Sequence, residues 1–74
     1  MTEFQKEKIN KALRAEWEAG NMYAERLRTE TDAKSVERMN RRMMEHYAYA
    51  NGMTATALAL GYQIRHEDGV PQIV

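Results

Sequence analysis

The sequence predicts a mainly α-helical fold: a long antiparallel helical hairpin followed by a short C-terminal β-hairpin. The expectation is a single domain over residues 1–74 that dimerises into a four-helix bundle. Two long stretches repeat apolar residues in steps of three and four, the period of one helix face. Between them lies Thr29-Glu30-Thr31-Asp32, a connection so short that the helices become antiparallel neighbours. After Gly61 the period drops to two and an Asp68-Gly69 pair follows, the signature of a two-residue hairpin turn.

The first helix is predicted over residues 3–29. Thr2 and Gln5 have the spacing of a capping box, in which each side chain satisfies the other residue's free backbone N–H. Phe4, Ile9, Ala12, Leu13, Trp17, Gly20, Tyr23, Ala24 and Leu27 then trace its apolar face. Threonine and aspartate compete with helix by bonding nearby backbone, so the chain breaks there and Thr31 or Asp32 caps the next helix. That second helix is predicted over residues 33–60, with the stripe Val36, Met39, Met43, His46, Ala50, Met53, Ala57 and Leu60. Asn51-Gly52 is its weak point, a place to kink or fray. Gly61 supplies the left-handed residue of a Schellman stop, with Tyr62 folding back on Ala57.

The hairpin is predicted over residues 62–74. Tyr62, Ile64 and His66 alternate with polar neighbours, and the turn sets Ile64 against Ile73 and His66 against Pro71. Pro71 cannot donate to a ladder, so its strand is expected to be an edge or to have its N–H side outward. A lone two-stranded hairpin is unstable in water and must lie on the helices or on a partner.

Composition narrows function. Eleven basic residues balance eleven acidic ones, which argues against a polyelectrolyte role for the whole chain. There is no cysteine, so disulfides and thiolate metal sites are excluded. Neither a secretory leader nor a membrane span is predicted, which points to a cytoplasmic protein. No serine elbow, phosphate-cradling glycine loop or Gly-Lys-Ser/Thr motif is present, so the expectation is a non-enzyme without a cofactor. So short a chain has a marginal core; with His46 and His66 the only nitrogen ligands left, association with another chain is the first expectation.

Folding the helices at the turn pairs residues whose numbers sum to 62 or 63. Leu27 then meets Val36, Gly20 meets Met43, Leu13 meets Ala50, Ile9 meets Met53, and Glu16 meets His46. The favoured reading of Glu16 and His46 is a buried hydrogen-bonded pair that fixes helix register. The alternative is a metal site, if a twofold dimer brought two copies of each together. Against it, the Glu-x-x-His pair of di-iron bundles is missing, because Met43 stands three residues before His46.

Charge concentrates at the turn, where Arg26, Arg28, Lys34, Arg38, Arg41 and Arg42 outnumber Glu30, Asp32 and Glu37. Arg38, Arg41 and Arg42, with Glu45 and Tyr49, fall on the outer face of the second helix. That run is read first as a solvated face with a Glu37–Arg41 pair, then as a protein-binding surface, then as a nucleic-acid grip in which tyrosine stacks on a base. Six methionines suit an irregular core. Trp17, Met22, Met44 and Tyr47 widen the apolar stripes beyond what a two-helix seam covers, which argues for a second chain.

The Leu60-Gly61-Tyr62 stop and the finish Tyr62-x-Ile64-x₃-Asp68-Gly69-x-Pro71-x-Ile73 resemble small uncharacterised proteins of Gram-positive bacteria and their phages. The resemblance covers the last fifteen residues and brings no functional motif. It implies a mobile-element or regulatory accessory protein. The Ser-Gln-Glu-Leu-Asp motif of small two-helix phosphatases acting on sporulation regulators is absent. The functional expectation is thus a homodimeric protein-interaction module, an inhibitor or adaptor. Its alternatives are a nucleic-acid-binding accessory protein using residues 26–42, and a metal-binding bundle.

Overall fold

The computed structural model describes residues 1–74 as α1 (Glu3–Leu27), α2 (Ala33–Ala59), β1 (Ile64–Glu67) and β2 (Val70–Ile73). The capping box opens α1: Thr2 N–H donates to Gln5 Oε1 at 2.9 Å and Gln5 N–H to Thr2 Oγ1 at 3.1 Å. The helix stops at Leu27, two residues short of the predicted end. Arg28 and Thr29 N–H groups bond three residues back, tightening the last turn, and Glu30 Oε1 accepts the Thr31 and Asp32 N–H groups at 3.0 Å each. Of the two capping candidates, Asp32 opens α2 by accepting the Ser35 N–H at 2.9 Å.

α2 runs unbroken through Asn51-Gly52. It ends at Ala59, one residue before the predicted end, because Leu60 takes the cap and Gly61 turns left-handed at φ 92°. The Gly61 and Tyr62 N–H groups then bond the Leu58 and Ala57 carbonyls at 3.0 Å each, completing the Schellman stop.

The strands pair antiparallel with Ile64 opposite Ile73 and His66 opposite Pro71. Asp68 at φ 53° and Gly69 at φ 79° supply the two positive angles of a type I′ turn. Hydrogen-bonded and non-bonded pairs alternate along such a ladder. With Val74 N–H bonding Gln63 at 3.0 Å, Pro71 and Ile73 aim their backbone groups outward. Pro71 has no N–H to leave unpaired there. Ile73 has both groups, and Asn10 of α1 satisfies them: its Oδ1 accepts the Ile73 N–H at 2.7 Å and its Nδ2 donates to the Ile73 carbonyl at 2.9 Å. One side-chain amide thus acts as a third strand and fastens the hairpin to α1.

Leu13, Ala50, Ala57 and Ile73 form the core, with Ile9, Trp17, Met53, Tyr62 and Ile64 around it. The core therefore occupies the half of the helical hairpin that the strands cover. Several expectations need correcting. Gly20 does not seat Met43; the Tyr47 ring lies over it, because Tyr47 reaches across to hydrogen-bond Asn21 at 2.6 Å. Trp17 and Tyr47 pack on each other with centroids 5.0 Å apart and are half-buried in one chain, so they give no reason to invoke a second. Phe4, Ala12 and Leu60, assigned to inward stripes, are exposed, as they lie at helix ends or margins beyond the reach of the seam and hairpin. Met22 and Met44 are exposed, Met44 by 60%.

Candidate functional site

Three places gather side chains with chemical potential. The first is the Glu16–His46 position. His46 Nδ1 lies 2.7 Å from Glu16 Oε2 across the helical seam. A carboxylate only accepts, so Nδ1 carries the proton and donates. The pair is half-buried rather than buried, with the Glu16 and His46 side chains still about a third exposed at 32% and 30%. Lying at the rim of the seam, it keeps access to water. Tyr23 stacks on the imidazole, with centroids 5.8 Å apart and planes 15° from parallel. Arg26 in turn sits 5.8 Å from the Tyr23 ring. A polar line thus runs Glu16–His46–Tyr23–Arg26 toward the turn. Within one chain there is no group of three His, Cys, Asp or Glu side chains able to hold a metal, so Glu16 and His46 would need a second copy to complete such a site.

The second place is a cleft of about 280 Å³ between the helices at the turn end, lined by Tyr23, Arg26, Ser35, Arg38, Met39 and Arg42. Here the predicted arginine run separates. Arg38 and Arg42 border the cleft with Arg26, whereas Arg41 stands outside it and pairs with Glu37 at 3.4 Å. Tyr49 lines the groove and not this cleft, two turns beyond Arg42 on α2. The helix register divides them: Arg38 and Arg42 share a row one turn apart, and Arg41 falls about 100° round the helix from Arg42. Beside the cleft, hydrogen bonds from the Ser35 backbone and side chain hold the Asp32 carboxyl below the usual carboxylate range.

The third place holds Tyr49. An open groove of about 660 Å³ follows the outer face of α2, with Glu45, Ala48, Tyr49, Gly52, Thr56 and Leu60 along it and Ile9 and Ile73 at its side. Tyr49 and Leu60 are each 68% exposed. Ala48, Gly52 and Thr56 recur every fourth residue, so small side chains form a trough between those two large ones. Sequence reasoning missed this groove, because its residues interleave with the inward stripe and include glycine, threonine and a glutamate. Asn10 and Asn21 were missed too; their one signal is that asparagine is a poor helix former in mid-helix.

No helix is long and apolar enough to cross a membrane. Compared with protein families, with curated proteins and with solved structures, the chain matches none.

Proposed function

We propose that the chain is a non-enzymatic protein-interaction module, of the inhibitor or adaptor kind, acting as a cytoplasmic homodimer. In this reading two copies join their helical hairpins across the α2 groove into a four-helix bundle. The observation that carries it is the unpartnered apolar trough beside an unusually open chain. The accessible surface is 5436 Å², about 700 Å² above the ~4,700 Å² of a compact monomer of this mass. The molecule measures 45 × 20 × 16 Å with a radius of gyration of 14.1 Å, against about 11 Å for a compact domain of this length. That surplus is close to the roughly 800 Å² each partner buries in a standard interface. A twofold pairing also suits the trough, since helices crossing at Gly52 meet no side chain there and leave room for Tyr49 and Leu60 to flank the contact.

Light scattering at micromolar concentration tests this directly. The expected mass is twice the 8.6 kDa of one chain. Tyr49→Asp with Leu60→Glu should return the single-chain mass with helicity unchanged. A wild-type monomer across the accessible concentration range would refute the dimer. A shared metal site draws no support from this arrangement. Thr56 and Gly52 lie roughly a quarter to a third of a turn round α2 from His46, so copies meeting there keep their Glu16–His46 pairs apart.

A further inference from the structure

Four acids at the turn end, Glu25, Glu30, Asp32 and Glu37, are each already engaged, and Glu45, one turn beyond Arg42 on α2, forms no ion pair with it. Glu25 pairs with Arg28 at 3.5 Å and Glu37 with Arg41 at 3.4 Å. Glu30 accepts two backbone N–H groups, and Asp32 caps α2 through Ser35. Asp32 senses Arg38 through space, but its oxygen is held by that cap. Arg26, Arg38 and Arg42 are left with no ion pair, and these are the three that border one cleft. Arg26 rests against the Tyr23 ring. That contact uses the aromatic face and leaves the guanidinium N–H donors free. The positive end of the α2 dipole adds to the same field, while the Ser35 hydroxyl is committed to Asp32.

We propose that this cleft binds a compact phosphoryl anion, a phosphate monoester or pyrophosphate group, on the guanidiniums of Arg26, Arg38 and Arg42. Three unpaired guanidiniums around one concavity suit a multiply charged, compact group that accepts several charge-assisted hydrogen bonds at once. A phosphodiester chain spreads one charge per phosphate and calls for a row of cations instead. Base stacking on Tyr23 is not the recognition element, since that ring already packs against His46 and Arg26. At about 280 Å³ the cleft sits at the small end of ligand sites and fits a phosphoryl group with few attached atoms. The cleft is a separate concavity from the dimer groove but adjoins it: Arg42, which borders the cleft, and Glu45, which lines the groove, are about 4.5 Å apart along α2 at 1.5 Å per residue.

Titration calorimetry and thermal unfolding with sodium pyrophosphate, at fixed ionic strength with chloride and sulfate as controls, test the proposal. Saturable binding should appear, tighter for pyrophosphate than for sulfate. Arg26→Gln, Arg38→Gln and Arg42→Gln should each weaken it roughly ten-fold, the factor for one lost charge-assisted hydrogen bond. Arg41→Gln removes the same charge from the same end but lies outside the cleft, and should leave affinity within about two-fold of wild type, given its ion pair with Glu37. Displacement of pyrophosphate by O-phosphoserine or by a nucleoside monophosphate supports the site, and the stronger competitor names the source of the phosphoryl group. Absence of saturable binding overturns the proposal. So does an equal loss in all four variants, which would mark diffuse attraction. Binding of a single-stranded oligonucleotide that pyrophosphate cannot displace would also overturn it, in favour of a nucleic-acid surface.

Discussion

Replacing Gly20 by alanine sets two effects of known size against each other. Glycine in a helix interior costs about 1 kcal/mol relative to alanine, so helix propensity alone makes Gly20→Ala stabilising. The structure predicts the opposite sign. A Cβ built on Gly20 would lie 2.5 Å from Tyr47 Cε1, 2.7 Å from Cδ1 and 3.0 Å from Cζ. The ring cannot simply swing away, because its hydroxyl donates to Asn21 at 2.6 Å and its face packs on Trp17. Reaching ordinary contact means moving the ring by about 1 Å, and overpacking of that kind costs roughly 1–3 kcal/mol. Straining the tyrosine hydrogen bond adds up to ~1 kcal/mol. Set against the propensity gain, the net is a destabilisation of about 1–2 kcal/mol, some 4–8 °C in Tm per kcal/mol for a domain of this size. Urea unfolding followed by circular dichroism, at one protein concentration, measures it. Trp17 is the only tryptophan, so its fluorescence reports on the same contact. In a Tyr47→Leu background the clash is relieved and Gly20→Ala should become stabilising. If Gly20→Ala stabilises the wild-type chain by the full propensity value, the ring does not sit over Gly20 and the local packing is wrong.

Three further outcomes follow from single contacts. His46→Ala and Glu16→Ala should each cost on the order of 1 kcal/mol, the low end for a charged hydrogen bond since the pair is half-exposed. A double-mutant cycle should return a coupling of about 0.5–1.5 kcal/mol, and zero coupling would deny that they touch. Asn10→Ala leaves both Ile73 backbone groups without their partner and should cost roughly 1–3 kcal/mol. Hydrogen exchange should then speed up over the hairpin before the helices, whereas an Ile73 amide still fully protected would contradict the clamp. Asp32 has a depressed folded pKa, so its contribution is present above the unfolded value and fades as pH falls below about 4. Asp32→Asn keeps a capping oxygen and should flatten that part of the acid limb of a stability–pH curve, and an unchanged acid limb would count against the cap.

The elements and their order were legible because each rests on a local signal. Thr2 and Gln5, Asp32, Gly61 and Asp68-Gly69 are stop and start signals whose effect reaches only four or five residues. The register was legible as far as the stripes were regular, which is why Leu13 and Ala50 meet in the core and Glu16 reaches His46. Exposure was not. Whether Leu60 or Phe4 is covered depends on where the hairpin comes to rest, and that is set by Asn10, a polar residue with no periodic signature. The mistaken partner of Gly20 has a similar origin. Tyrosine is long enough to cross from a neighbouring row of the helix, and spacing arithmetic counts positions without counting side-chain reach. The grouping of Arg26 with Arg38 and Arg42 required both helices in place, since the first comes from α1 and the others from α2.

The two halves of the helical hairpin are held by different forces, and this bears on how its surfaces can work. At the hairpin end, apolar contacts around Leu13, Ala50, Ala57 and Ile73 hold the helices, and apolar surface continues outward into the α2 groove. At the turn end no residue of the seam beyond Gly20 is fully buried. Directional contacts replace bulk there: Glu16 with His46, Asn21 with Tyr47, and Tyr23 on His46. Apolar burial is tolerant of geometry and suits a surface whose role is to associate. Hydrogen bonds and stacking fix side chains in orientation, which is what convergence of three guanidiniums on one small anion demands. Tyr23 connects the systems, because it takes its place from His46 and itself carries Arg26. Substitution at Tyr49 or Leu60 should therefore separate the copies and leave anion affinity intact. His46→Ala should do the reverse, loosening Tyr23 and Arg26 and weakening the anion site while the chain remains a dimer.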